Sequence, residues 1–246
     1  MIRCRHCLGV ALAASFAWPA YSQSSGESAP GVNPKDNITK VEVLYKYDQY
    51  NLGGSINSLT FKYDKALDRN WGFNAELPFV TFEGFEVEEA GLGDLQTRVR
   101  YVATMGQLSL LGGAELVLPT ASDDVLGRGR WQANPVAGVV YMFSQTTFMF
   151  AGYKHFFSFA GDEDRPGINE SQPRLILGYT DPKGWWLLGD AKYTRSWESD
   201  DLETLDAEAE LGQMIGPATG VWVRAGTSFL ESDRDFGINL GLRNIF

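Results

Sequence analysis

Residues 235–246 read Asp-Phe-Gly-Ile-Asn-Leu-Gly-Leu-Arg-Asn-Ile-Phe. Phe236, Ile238, Leu240 and Leu242 share one parity, and Gly237, Asn239, Gly241 and Arg243 share the other. A period of two sends successive side chains to opposite faces of a β-strand, so this stretch has one apolar face and one small or polar face. The same alternation recurs far upstream. It puts Val41, Val43, Tyr45 and Tyr47 on one face, then Leu59, Phe61 and Tyr63, then Trp71, Phe73, Ala75, Leu77 and Phe79, then Leu108, Leu110, Ala114, Leu116 and Leu118.

Twelve segments carry this pattern or a strand-forming composition: residues 38–48, 56–65, 70–82, 91–104, 107–119, 130–143, 146–157, 171–180, 184–197, 204–215, 219–230 and 235–246. Most are longer than the ~5–6 residues usual for a globular strand and long enough to cross a bilayer at a tilt. Connections alternate in length. Short ones fall at 66–69, 105–106, 144–145, 181–183 and 216–218, and long ones at 83–90, 120–129, 158–170 and 198–203. Aromatic residues collect toward strand ends, as at Trp71, Tyr141, Phe143, Trp185, Trp197 and Phe229, where an amphipathic ring can sit at headgroup level. Together these features predict an all-β, 12-stranded antiparallel transmembrane β-barrel of outer-membrane type over residues 38–246. An even strand number and short turns on one side place both termini in the periplasm. The segment 146–157 is aromatic on both parities, so its lipid face is left open.

The N-terminus has the layout of a secretory signal peptide over residues 1–22: Arg3 and Arg5, an apolar run at 8–17, then small residues at Ala20 and Ser22. Both cysteines, Cys4 and Cys7, fall inside it, so disulfide and thiol chemistry are not expected in the mature chain. Residues 23–37, rich in Ser, Gly and Pro without periodicity, read as a periplasmic lead-in. Setting Arg3 and Arg5 aside leaves 19 basic against 31 acidic residues, a net charge of −12. Such a surface argues against a nucleic-acid partner. The long connections are strongly acidic, with only Arg128, Arg130, Arg165 and Arg234 opposing them. They predict a negative mouth that disfavours anions and attracts cations, including divalent ions bridging lipopolysaccharide.

Three motifs stand apart from the alternation: Gly91-Leu92-Gly93-Asp94-Leu95, then Ala114-Glu115-Leu116-Val117-Leu118-Pro119-Thr120, then Leu126-Gly127-Arg128-Gly129. In these the chain resembles the outer-membrane family named for the MetA pathway of phenol degradation, whose members are often called transporters. The resemblance implies passage of small solutes, aromatic or hydrophobic ones included.

Little in the sequence speaks for catalysis. Beyond the signal only His155 remains as a histidine, and His155 and Ser158, three apart on a strand, point to opposite faces. One histidine and no cysteine leave no metal-site spacing, and neither a metal nor a cofactor is expected. Charge does fall on the inward parity. Asp206, Glu208 and Glu210 alternate with apolar residues, within reach of Lys192 on the preceding strand and Arg224 on the following one. Arg98 and Arg100 similarly lie between strands bearing Glu76 and Glu115. These residues are the candidate lumen charges, either as compensating ion pairs that fill a modest lumen or as a constriction that screens solutes.

The expectation is therefore a non-catalytic channel or transporter-like protein of the bacterial outer membrane. Its partners are outer-membrane lipids, lipopolysaccharide, small solutes and the barrel-assembly machinery, which reads the last strand. Two alternatives remain: a lipid-modifying hydrolase, which needs a Ser or acidic partner beside His155 at the lipid boundary, and a structural or adhesion barrel with a plugged lumen. A terminal aromatic is the usual ending of an outer-membrane barrel, so Phe246 is the candidate assembly signal. Deleting Phe246 should lower the amount of heat-modifiable barrel in outer-membrane fractions on gels; unchanged levels would remove that role.

Overall fold

The computed structural model describes residues 29–51, 53–84, 87–198 and 202–246. The expected signal peptide, the start of the lead-in, and Glu86, Asp200 and Asp201 of the acidic loops lie outside the described residues. Thirteen strand segments follow one another: β1 Lys40–Tyr50, β2 Ser55–Ala66, β3 Trp71–Gly84, β4 Val87–Leu92, β5 Leu95–Met105, β6 Leu108–Leu118, β7 Arg130–Met142, β8 Thr147–Gly161, β9 Asn169–Thr180, β10 Trp185–Ser196, β11 Glu203–Met214, β12 Thr219–Leu230 and β13 Arg234–Ile245. β3 pairs with β5 over Trp71–Glu76 and with β4 over Phe79–Gly84, so β4 and β5 are two halves of one stave broken at Gly93 and Asp94. Twelve antiparallel staves result, closed by the pairing of β1 with β13. This is the expected fold, with both barrel-strand ends at the same rim, called here the turn end.

The alternation of connections is less regular than the sequence suggests. At the opposite rim, the loop end, residues 119–129, 162–168 and 197–202 form long connections, but β1–β2 and β12–β13 are joined by 51–54 and 231–233. Gly53 and Gly54 take φ of +84° and +116°, which permits the first of these tight turns, and Leu230 takes +67° beside the second. Among the turns at the other rim, Asp68 accepts the backbone N–H groups of Asn70 and Trp71, both at 2.7 Å, which holds its pKa below the usual carboxylate value.

Outward parity is apolar around the wall, with Phe61, Phe79, Leu177, Leu211 and Leu240 among the most exposed large side chains. Register also fixes the face that the sequence leaves open. Val140 pairs with Phe150, and both face inward, as do Phe148, Lys154 and Phe156, while Tyr153, His155 and Phe157 face out.

The apolar core sits inside the barrel near the turn end, formed by Val140, Phe148, Ile176, Trp186, Leu188 and Trp222. Glycines on the neighbouring strands make room for its rings. A Cβ at Gly178 would stand 2.2 Å from the Phe148 ring, and at Gly212 or Gly241 it would stand 2.1 Å from Trp186 or Trp222. Gly212→Val should therefore overpack the wall and cost about 1–3 kcal/mol, seen as a lower temperature for loss of heat-modifiable mobility. Gly189→Val is the matched control, since a Cβ there meets nothing within 4 Å. Equal shifts for the two variants would refute the packing argument.

Candidate functional site: the ion-paired lumen

Alternation places the charged residues of each strand on the inner wall, and register decides which of them meet. One rank of cross-strand neighbours runs Asn74, Arg98, Glu115, Asn134 across β3, β5, β6 and β7. Glu115 is only 2% exposed. Its Oε2 accepts from Arg98 Nε at 3.0 Å, and its Oε1 accepts from Asn134 Nδ2 at 3.1 Å and from Lys154 Nζ. A carboxylate so enclosed is tolerable only because both oxygens are saturated by charged or strong donors.

A larger cluster covers the wall from β9 to β13. Arg224 Nε donates to Glu210 at 3.0 Å, and its Nη1 lies 3.4 Å from Asp190 and 3.5 Å from Glu208. Arg174 Nε donates to Asp190 at 2.9 Å. Lys192 lies 3.4 Å from Glu208 and 3.8 Å from Asp206. Arg234 joins Glu208 at 3.0 Å to Asp48 of β1 at 2.7 Å, and so ties the two closing strands together through their side chains. Trp186 Nε1 donates to Glu210 at 2.7 Å, which links the ion network to the apolar core below it.

Of the sequence candidates, Arg98 meets Glu115, and Lys192 and Arg224 meet the Asp206, Glu208 and Glu210 set. Glu76 pairs with Lys62 at 3.0 Å, without an ion pair to Arg98. Arg100 points instead to backbone. Its guanidinium donates to the carbonyls of Pro34 and Asp36, while Arg243 donates to that of Gly31 at 3.0 Å. Residues 29–37 thus enter the turn end of the lumen as a strap, with Ala29 and Val32 packed on the apolar core and Asn37 donating to the carbonyls of Asp68 and Trp71. Phe246 donates its N–H to the carbonyl of Thr39 at 2.9 Å, beside the strap.

Sequence reasoning missed Asp190, Arg174, Lys154, Arg234 and Arg243. Asp190, Arg174 and Arg243 carried a readable signal, a charge on the parity opposite an apolar row. Lys154 was hidden by the undecided face of its strand, and Arg234 by its position at a strand end whose partner is 186 residues away.

The three sequence motifs converge at the loop end. Asp94 accepts the backbone N–H groups of Ala121 at 3.2 Å and Arg128 at 2.7 Å. Thr120 Oγ1 accepts from Leu95 N at 2.9 Å and donates to the carbonyl of Gly93. These bonds pin the 119–129 connection to the break in the fourth stave, and Leu126 is buried beneath it. On the outer wall, His155 Nδ1 stands 3.5 Å from Ser171 Oγ, which also contacts Tyr153 OH at 2.9 Å and receives Trp197 Nε1–H at 3.0 Å.

Among solved structures, the NanC porin superposes with a TM-score of 0.63 at 10% identity, covering 84% of this chain and 99% of that one. The KdgM porin gives 0.58 at 13% identity over the same shares. The translocator domain of the autotransporter NalP from Neisseria meningitidis gives 0.51 at 11%, covering 85% and 89%. The fold is that of outer-membrane porins. No protein-family model and no curated protein matches the chain, so the motif resemblance stands on its quoted residues.

Replacing Glu115 by Gln leaves Arg98 and Lys154 facing each other without their carboxylate. Breaking a fully buried pair costs about 3–5 kcal/mol, and partial hydration of Arg98 should bring this to roughly 1–3 kcal/mol. Adding Lys154→Gln should recover part of the loss in a double-mutant cycle of thermal unfolding; strict additivity would mean that the two residues are not coupled.

Proposed function

We propose that the chain is an outer-membrane channel that passes small solutes without catalysis, with both termini in the periplasm. The observation that carries this reading is a porin-type barrel whose inner wall is lined by compensated charges. A surface of that kind suits hydrated passage better than a solid core would. The acidic connections at the loop end would form a negative outer mouth, in contact with lipopolysaccharide and its bridging cations. The aromatic rings near the turn end, together with the motif resemblance, support aromatic or hydrophobic solutes among those admitted. The strap lies across the turn end of the lumen, and in this reading it is the element that limits passage there.

Planar-bilayer recording tests this directly. The mature chain should conduct weakly, and deletion of residues 23–37 should raise conductance severalfold. Neutralising Arg98, Arg100 and Glu115, or Asp206, Glu208 and Glu210, should shift ion selectivity. A folded strapless barrel that stays silent would favour the structural reading with a plugged lumen.

The hydrolase alternative has one supporting observation, Ser171 beside His155 on the outer wall. Against it, Ser171 Oγ already receives an N–H from Trp197, which lowers its nucleophilicity, and no carboxylate orients the imidazole among the described residues. His155→Ala should leave conductance intact. Loss of a phospholipid-hydrolysing activity in that variant would reverse the assignment.

The orientation has its own check. Protease added to intact cells should cut near residues 162–165 and spare 181–183, and cleavage at 181–183 alone would invert the barrel.

A further inference from the structure

The two partners of a lumen ion pair do not lie at the same depth. Glu115, Asp190, Glu208 and Glu210 have side chains that are 3% exposed or less. Their cations stand in front of them. Arg98 and Arg174 keep 34% and 35% of their side chains exposed, and Lys46, paired at 2.6 Å with the buried Asp48, keeps 40%. Length is the cause: a short carboxylate is held close to the wall, while the Lys and Arg stems reach past it toward water. Asp64 and Asp206 are about level with their lysines, Lys40 and Lys192.

The charges do not cancel either. Between the rims, the inward parity of the strands carries eleven Lys and Arg and nine Asp and Glu, a surplus of two positive charges. Arg130 and Glu170 at the loop rim leave that surplus unchanged. The exposed cations also surround the lumen, with Lys46 on the first stave, Arg98 on the fourth and Arg174 on the eighth. A hydrated solute inside therefore meets ammonium and guanidinium groups first. The acidic connections stand outside in bulk water, where charges more than ~8 Å apart are largely screened at physiological ionic strength. Charges held against the protein wall are screened less, so mouth and lumen act in series and the lumen dominates.

We propose that the lumen selects small anions, organic carboxylates among them, over cations of similar size, despite the acidic mouth and the acidic chain as a whole. The proposal rests on the channel reading and gives the solute its charge. The planar forks of Arg98 and Arg174 match a carboxylate, and the sunken acids keep those forks oriented.

The test is chemical and needs no conductance. Residues 23–246 contain no cysteine, so single thiols can be placed at will. Ser58→Cys puts one on the inner wall opposite Lys46, and Gln172→Cys puts one opposite Lys154, six staves away. Gln145→Cys, in an exposed turn, is the reference. The mature barrel in detergent is treated with two methanethiosulfonates, one bearing a sulfonate and the other a trimethylammonium group. Their rate ratio, divided by the ratio at position 145, cancels both reagent chemistry and thiol acidity. At low salt it should favour the anionic reagent by roughly tenfold at both inner positions. The preference should fade toward 1 M salt, where the Debye length is ~3 Å. Lys46→Gln should roughly halve the preference at position 58, and the barrel should still fold, because Asp48 keeps Arg234. Arg174→Gln should do the same at position 172, where Asp190 keeps Arg224; it serves if the first variant fails to fold. A normalised ratio near one, a preference for the cationic reagent, or indifference to both substitutions would overturn the proposal and leave the channel reading standing. Thiols at 58 and 172 that react with neither reagent would overturn both, since the lumen would then be closed to hydrated ions.

Discussion

Closure of the sheet governs everything else in this molecule. A strand edge in hydrocarbon would leave a row of N–H and C=O groups without partners, each costing several kcal/mol, so an outer-membrane strand set must return to its beginning. Here Lys40–Tyr50 meets Arg234–Ile245, and the interior that results is defined by that seam. Arg234 lies on the last strand and Asp48 on the first, and they form a buried ion pair at 2.7 Å across the seam. The charge network therefore depends on closure, and the seam in turn gains a side-chain bond across it.

The interior is layered along the barrel axis. Apolar rings laid against glycines occupy the turn end, ion pairs occupy the middle, and Gln96 and Gln132 lie beneath the folded loop. Each layer uses the same alternation that makes the outside apolar, because every second residue is released from facing lipid. Trp186 joins two layers, packing its ring over Gly212 and donating its indole N–H to Glu210. A tryptophan is well suited to that position, since one end is apolar and the other must find a partner.

Strand count, closure and the inward parity of Arg98, Glu115, Glu208 and Glu210 were all legible in the sequence, because period-two alternation is a local property. Contacts set by register were not. Glu76 stands opposite Gln96 and not Arg98, and that single step decides that it pairs with Lys62. Nor does alternation help where both parities are aromatic: the inward face of β8 emerges only from its pairing with Val140 and its neighbours. The loop-end motifs drew notice as a family likeness, and their physical role, Asp94 gathering two distant backbone amides, needs the three-dimensional path of the chain.

The strap is held through both main chain and side chains: Arg100 and Arg243 bind its carbonyl oxygens, Ala29 and Val32 pack on the apolar core, and Asn37 donates to the turn carbonyls. Covalent attachment a few residues before Lys40 also means that the strap never diffuses away. Its occupancy is set by a tether and an effective concentration, independent of how much protein the membrane contains. Opening and closing at this rim would accordingly be first-order events, and crowding more barrels into the bilayer would not alter their balance.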